Sequence, residues 1–215
     1  MPIKRILFIR PGETHWNRIG RQQGWVSIPL NEHGCKQAER LSSFIRHLGL
    51  GALYSSDLRR AKETTEIISD KLSIEPIYDS RLRERDIGQW QGLTLGEIHE
   101  WCTDEYEQFR ERVNNFQIPG GEARFQVVDR IVSAFEDIQK HQQDVNTVGI
   151  VTHSIAIRTL LSQLIPDYPS AGMPLSNISV TTIALNDDGK WEMVQANDVS
   201  HLDGMETKTI DEPEG

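Results

Sequence analysis

Four side chains stand where a chain could gather them around an oxyanion. Arg10 closes a short apolar run, Ile6-Leu7-Phe8-Ile9, and opens a turn that reaches Asn17. Within eight residues that turn holds a guanidinium, a Pro-Gly pair, a carboxylate, a hydroxyl, an imidazole and an amide. Arg59 and Arg60 follow a second apolar run and its polar Ser56-Asp57 tip, and His153-Ser154 follow a third. Glu84 lies in a loop rich in Arg, Glu and Gly, residues 81–94. Guanidinium groups present planar, forked donors to phosphate oxygens and stay charged. A neighbouring imidazole and carboxylate add nucleophilic or proton-transfer chemistry. Each residue alone also has an ordinary explanation. Pro-Gly is a common turn, an arginine in an acidic protein pairs with a carboxylate, and a histidine after a strand can be a satisfied loop residue.

The elements behind these loops must bring them to one place. Apolar runs predict strands over Ile6–Ile9, Gly51–Ser55, Ile74–Tyr78 and Thr147–Thr152, the third near a sheet edge because of Pro76. Ser179–Leu185 and Trp191–Ala196, joined by Asn186-Asp187-Asp188-Gly189, predict a closing hairpin. Between them fall helical patterns. One is capped by Asn31 and stops near Gly49, and one begins at Ser56-Asp57 and runs through Leu72. A third covers Leu95–Val113, with Ile98, Trp101, Cys102, Phe109 and Val113 on one stripe. Pro119-Gly120-Gly121 ends it, and helices over Glu122–His141 and residues 155–164 follow. This alternation implies an α/β fold, a three-layer α/β/α sandwich with a mostly parallel sheet and an antiparallel edge. In such sheets ligands bind beyond the carboxyl ends of the strands, where Arg10, Arg60 and His153 all fall.

Composition narrows the function. A chain of 215 residues, 37% hydrophobic and 26% charged, suits one domain over 1–215 with a single core. The formal net charge of −9 argues against nucleic acid or an anionic membrane as a partner held by bulk electrostatics. Cys35 and Cys102 lack CxxC or Cys/His spacing, so neither a disulfide framework nor a metal site is expected. The opening apolar run is too short for a signal sequence or membrane span. A soluble, cytoplasmic protein is the expectation.

Taken together, RPGETHWNRIGRQQGW, PLNEHGCKQAERL, SSDLRRAKETT, LRERDIGQWQGLT, PGGEA and VTHSIAIRTLL resemble, in order, the histidine phosphatase superfamily, also called phosphoglycerate mutase-like, in its phosphatase branch. The likeness runs from residue 5 to about residue 202. It implies a phosphoglycerate mutase-like sandwich, a metal-independent phosphatase lineage without cofactor, and a small phosphorylated metabolite or inorganic phosphate as ligand. By resemblance, Arg10, Asn17 and Arg60 bind phosphate. His153 matches the second pocket histidine, and Glu84 the acid that protonates the leaving oxygen and later activates water. Residues 95–121 are expected to form a cap insertion over the site, and 203–215, acidic and turn-rich, a flexible tail. No oligomeric state is read from it. There are two departures. Ser154 stands where a glycine is usual, able to crowd the pocket floor or to add a hydroxyl donor. Pro11 stands where the family carries its nucleophilic histidine, and His15 falls at a variable position not expected to replace it. The implied protein has a charged, nucleophile-free pocket with the phosphohistidine step lost, its activity abolished or strongly impaired. The alternative is a non-catalytic pseudoenzyme that binds a phosphometabolite or phosphoprotein.

Overall fold

Along β1 (Arg5–Ile9), Ile6 and Phe8 enter one hydrophobic cluster while Leu7 and Ile9 enter another. Successive strand side chains point to opposite faces, so a strand buried on both sides joins two cores. Our computed structural model describes residues 3–111, 116–142, 144–169 and 173–207. Among these, β1 lies with β2 (Ala52–Ser55), β3 (Pro76–Tyr78), β4 (Thr147–Val151), β5 (Val180–Leu185) and β6 (Trp191–Asp198) in one sheet of order β3-β2-β4-β1-β5-β6, its own neighbours being β4 and β5. The first four strands in that order run parallel, with Ile6 opposite Val148 and Leu53 opposite Gly149. β5 and β6 complete the sheet antiparallel. Pro76 lies in the edge strand, where its missing N–H interrupts no ladder.

A short turn of helix, α1 (His15–Arg18), follows the first loop. Helices α2 (Glu32–Ile45) and α3 (Arg59–Leu72) cover one face through Ala38, Leu41, Ile45, Ala61 and Ile68. After α4 (Leu95–Trp101) and α5 (Thr103–Glu111), helices α6 (Arg124–His141) and α7 (Ser154–Leu164) cover the other face through Ile131, Phe135, Ile138, Ile157 and Leu160. Full burial of each of these Leu, Ile and Phe side chains is worth roughly 1.5–3 kcal/mol. The three-layer sandwich follows from this two-sided burial. Asn31 caps α2 as expected, accepting from Gly34 N at 2.7 Å.

Two expectations are corrected. The helix predicted over Leu95–Val113 is two helices, stepped at Cys102, where φ is −126° and ψ 43°. Thr103 Oγ1 donates back to His99 O at 2.8 Å and fastens the step. Trp101 thereby leaves the expected stripe and is 62% exposed; Val113 lies outside the described residues. Trp90 instead centres this region's own cluster with Ile87, Ile98 and Ile118, its ring 5.3 Å from that of Phe109. The capping pair before α3 is also divided. Ser56 Oγ accepts from Leu58 N at 3.2 Å, whereas Asp57 forms a two-pronged pair with Arg83 at 2.6 Å. Among the described residues no helix is long and apolar enough to cross a membrane. Residues 208–215 of the expected tail lie outside the described residues, and Gln37 Nε2 donates to Met205 O at 2.7 Å just before them.

Candidate active site

β1 and β4 are neighbours, yet the helices that follow them, α2 and α7, pack on opposite faces of the sheet. The crevice opened between their carboxyl ends is the ligand position of an open α/β sheet. A hollow of about 170 Å³ lies there, lined by Arg10, Pro11, Asn17, Arg60, Glu84 and His153, together with Ser154 and Asn177. Of the residues singled out from the sequence, Arg59 pairs instead with Glu63, and Arg10, Pro11, Asn17, Arg60, Glu84, His153 and Ser154 all reach it. His15 does not: it is exposed, in a different hollow beside Arg18 and His33.

Both arginines are held by carbonyls rather than carboxylates. The Arg10 guanidinium donates to Leu175 O, and that of Arg60 to Gly24 O at 2.9 Å and Val26 O at 3.4 Å. Burial lowers each from 12.5 to about 10, with Glu84 opposing the shift. Both remain cationic at neutral pH, and among the described residues neither lies within ion-pair distance of a carboxylate. His153 is 3% exposed, with Nε2 2.9 Å from Ser56 Oγ. Burial first, then the charges of Arg60, Arg10 and Arg130, hold it well below the ordinary histidine value. It is therefore a neutral imidazole.

Asn17 is oriented by its own turn. Its Oδ1 accepts from Thr14 N and Thr14 Oγ1, each at 3.0 Å, which leaves the Nδ2 donor for the hollow. Glu84 caps α7 from a distance. Its Oε1 accepts from Arg85 N at 3.0 Å and Ile155 N at 3.2 Å, and Ser154 Oγ donates to Oε2 at 3.3 Å. The hydroxyl at 154 thus acts as a donor to the carboxylate. His153, at the N-cap, offers no side-chain cap of its own, and the Glu84 carboxylate serves instead as the acceptor for the Ile155 and Ala156 N–H groups at the positive end of the helix.

Sequence reasoning missed the residues that hold these groups in place. Trp25 Nε1 and Arg130 Nη2 both donate to Glu84 O, at 2.6 and 2.8 Å. Arg130 also binds Arg83 O at 2.6 Å and pairs with Glu122 at 2.8 Å. Asn177 Nδ2 donates to Pro11 O at 2.9 Å and Gly12 O at 3.2 Å. Gly12 is required by close approach, since a Cβ there would come within 2.7 Å of Gly34 O in α2. Glu122, directly after the Pro-Gly-Gly break and eight residues before Arg130, was the one available signal. The assembled site is a local cationic hollow in a protein of net charge −9, with forked donors, a neutral imidazole and one carboxylate. Such a site can hold a tetrahedral oxyanion. Among the described residues no three His, Cys, Asp or Glu side chains are placed to hold a metal ion.

The sequence pattern of the histidine phosphatase superfamily (branch 1) matches residues 6–199. This chain belongs to that superfamily. Its similarity to individual branch 1 histidine phosphatases spans nearly the whole chain. It is 37% identical to the metal-independent phosphoserine phosphatase of Arabidopsis thaliana over 94% of this chain and 85% of that protein. It is 34% identical to a probable phosphoglycerate mutase of Salmonella paratyphi B over 93% and 95%. Among solved structures, the mycobacterial glucosyl-3-phosphoglycerate phosphatase complexed with VO3 superimposes with a TM-score of 0.82 at 26% identity, covering 90% of this chain and 99% of that one.

Proposed function

We propose that this histidine phosphatase-type protein holds the phosphoryl group of a small phosphomonoester, or inorganic phosphate, in the hollow at the ends of β1 and β4, and that Pro11 removes its phosphohistidine step. The observation that carries this reading is the convergence of Arg10, Arg60, Asn17 and His153 on one hollow in whose wall Pro11 stands. Arg10, Arg60 and Asn17 Nδ2 donate to the non-bridging oxygens. The imidazole of His153 gains a proton once a dianion offsets the neighbouring cations, and then donates as well. Glu84, fastened to the start of α7, faces the leaving oxygen as its proton donor. No metal or cofactor takes part. The two cysteines are free, in keeping with a cytoplasmic setting.

Covalent transfer needs a nitrogen lone pair aimed at phosphorus. The proline nitrogen is a tertiary amide and has none to give. His153 Nε2 is engaged with Ser56, and attack by water with Glu84 as base forgoes the covalent intermediate and is slow. Relatives named as a metal-independent phosphoserine phosphatase and a probable phosphoglycerate mutase support a small phosphorylated ligand. A second reading, a non-catalytic binder of a phosphometabolite or phosphoprotein, is favoured by the same Pro11.

The two readings part on turnover. The parent chain and its Pro11→His variant should be assayed on p-nitrophenyl phosphate, phosphoserine and 3-phosphoglycerate, with and without EDTA. The expected result is phosphate binding by both, turnover and acid-labile phosphate labelling by the variant alone, and no effect of EDTA. A silent variant that binds phosphate selects the binding reading. Parent turnover equal to that of the variant, or absence of phosphate binding by either, overturns the proposal.

A further inference from the structure

The segment entering β5 reaches the pocket from the side of β1 opposite β4, and no motif in the sequence marked it. Leu175 O accepts from the Arg10 guanidinium, and Ser179 O accepts the Arg10 N–H at 3.2 Å. Ile178 N donates to Arg10 O at 3.1 Å and to Pro11 O at 3.3 Å. Between these lies Asn177, buried and part of the pocket lining. Its single nitrogen Nδ2 meets three oxygens: Pro11 O at 2.9 Å, Gly12 O at 3.2 Å and Asn17 Oδ1 at 3.3 Å. The next residue is strained. Ile178 has φ of +61°, a left-handed conformation that a β-branched side chain rarely adopts. Strain of this kind persists where the surroundings over-determine it, and Ile178 is fully buried with its N–H committed to the loop.

An oxyanion pocket needs its donors facing inward and its own oxygens turned away. The loop at residues 10–17 carries both kinds of group, so something must sort them. We propose that Asn177 is the positioning residue that does so. Its amide draws the carbonyls of Pro11 and Gly12 and the side-chain oxygen of Asn17 to itself. The opposite end of the Asn17 amide, Nδ2, is thereby presented to the anion. The strained turn at Ile178 sets the carboxamide at the height of these three oxygens. This inference rests on reading the hollow as a phosphate pocket, and Asn177 acts through Asn17 and the loop.

The test is an isosteric exchange, Asn177→Asp, which sets an oxygen against three oxygens. Asn177→His is the rescue variant, because its ring Nδ1–H can stand in for the amide N–H. Two readouts are taken: inorganic phosphate affinity by calorimetry, and the Asn17 side-chain NH2 resonances by ¹⁵N–¹H correlation without ligand. Asn177→Asp should weaken phosphate binding by about tenfold or more, the scale of a lost charge-assisted donor, and should shift the Asn17 resonances. Asn177→His should restore both. A merely structural asparagine would lower the melting temperature while leaving affinity and the Asn17 resonances in place, and that result overturns the assignment. Should Asn177→Asp fail to fold, Asn177→Ala, which withdraws the donor without adding charge, carries the same comparison. If the parent chain binds no phosphate, the proposed function fails. The ligand-free Asn17 resonances still decide the role of Asn177, unchanged signals refuting it and shifted ones supporting it.

Discussion

Acidification from pH 7.5 to 5.5 should weaken the fold through His153. The imidazole is buried, and burial together with the charges of Arg60, Arg10 and Arg130 holds it well below its ordinary value. In the unfolded chain it titrates near 6.5. A group whose folded value is depressed contributes stability that is present above the unfolded value and lost as pH falls below it. At pH 5.5 the unfolded chain binds more protons at this position than the folded one, so the loss is on the order of 1 kcal/mol. His201, also pushed down by burial, acts in the same direction, so the effect must be isolated by difference. Urea unfolding of the parent and of His153→Gln at both pH values, at fixed ionic strength, gives the comparison. The parent should lose on the order of 1 kcal/mol more than the variant, with unchanged m-values. Saturating phosphate should shrink that difference, because an anion beside Arg10 and Arg60 favours the protonated ring. Equal acid sensitivity in parent and variant would refute the claim that His153 is held neutral.

Other substitutions separate the parts of the site. Arg60→Met removes a buried guanidinium and should weaken phosphate binding by about 1.5–3 kcal/mol, on the order of 10- to 150-fold, measured by calorimetry. Arg130→Met leaves the Glu122 carboxylate without its 2.8 Å partner and releases the carbonyls of Arg83 and Glu84. It should cost about 3 kcal/mol in denaturant unfolding. Trp101→Ser, on the exposed face of α4, should leave stability within about 0.5 kcal/mol of the parent by thermal melting. A larger loss there would mean that the step at Cys102 is not as described.

What was legible in the sequence was what short-range chemistry writes. The continuous apolar run of β1, the Asn31 cap, the edge position of Pro76 and the closing hairpin each follow from neighbouring residues. That Arg10, Arg60 and His153 would line one hollow was legible because each stands just past a buried strand, and parallel strands deliver their ends to one side. The break at Cys102 was not legible, since neither Gly nor Pro marks it and the apolar spacing carries across it. Asp57 was read as a cap because nothing nearby announces Arg83 as a stronger partner. Asn177, Trp25 and Arg130 escaped notice for a common reason. Their work is side chain to backbone across the fold, Asn177 to Pro11 spanning 166 residues, and such contacts leave no periodic trace. Only assembly of the sheet brings them together.

The place of Pro11 in this network explains how a proline can be carried at the centre of the pocket. From residue 10 to residue 14 every backbone N–H has a partner. Arg10 N donates to Ser179 O, Gly12 N to Thr64 Oγ1 at 3.1 Å, Glu13 N to Gln37 Oε1 and Thr14 N to Asn17 Oδ1. Position 11 has no N–H to offer, while its carbonyl is taken by Ile178 and Asn177. Proline also favours extended backbone angles at the preceding residue, which a strand end already supplies at Arg10. Proline is thus accommodated at position 11 with little cost to folding, and its tertiary amide nitrogen offers no nucleophile there. Replacing it by histidine adds unfolded-chain freedom worth about 0.4–1 kcal/mol and sets a second imidazole among desolvated cations. Pro11→His should therefore unfold about 1 kcal/mol more easily than the parent in phosphate-free buffer. Phosphate at a hundredfold excess over its dissociation constant should add about 2.7 kcal/mol to both proteins. A loss of 3 kcal/mol or more would show instead that the fold has come to depend on the proline, and that the pocket was rebuilt around it.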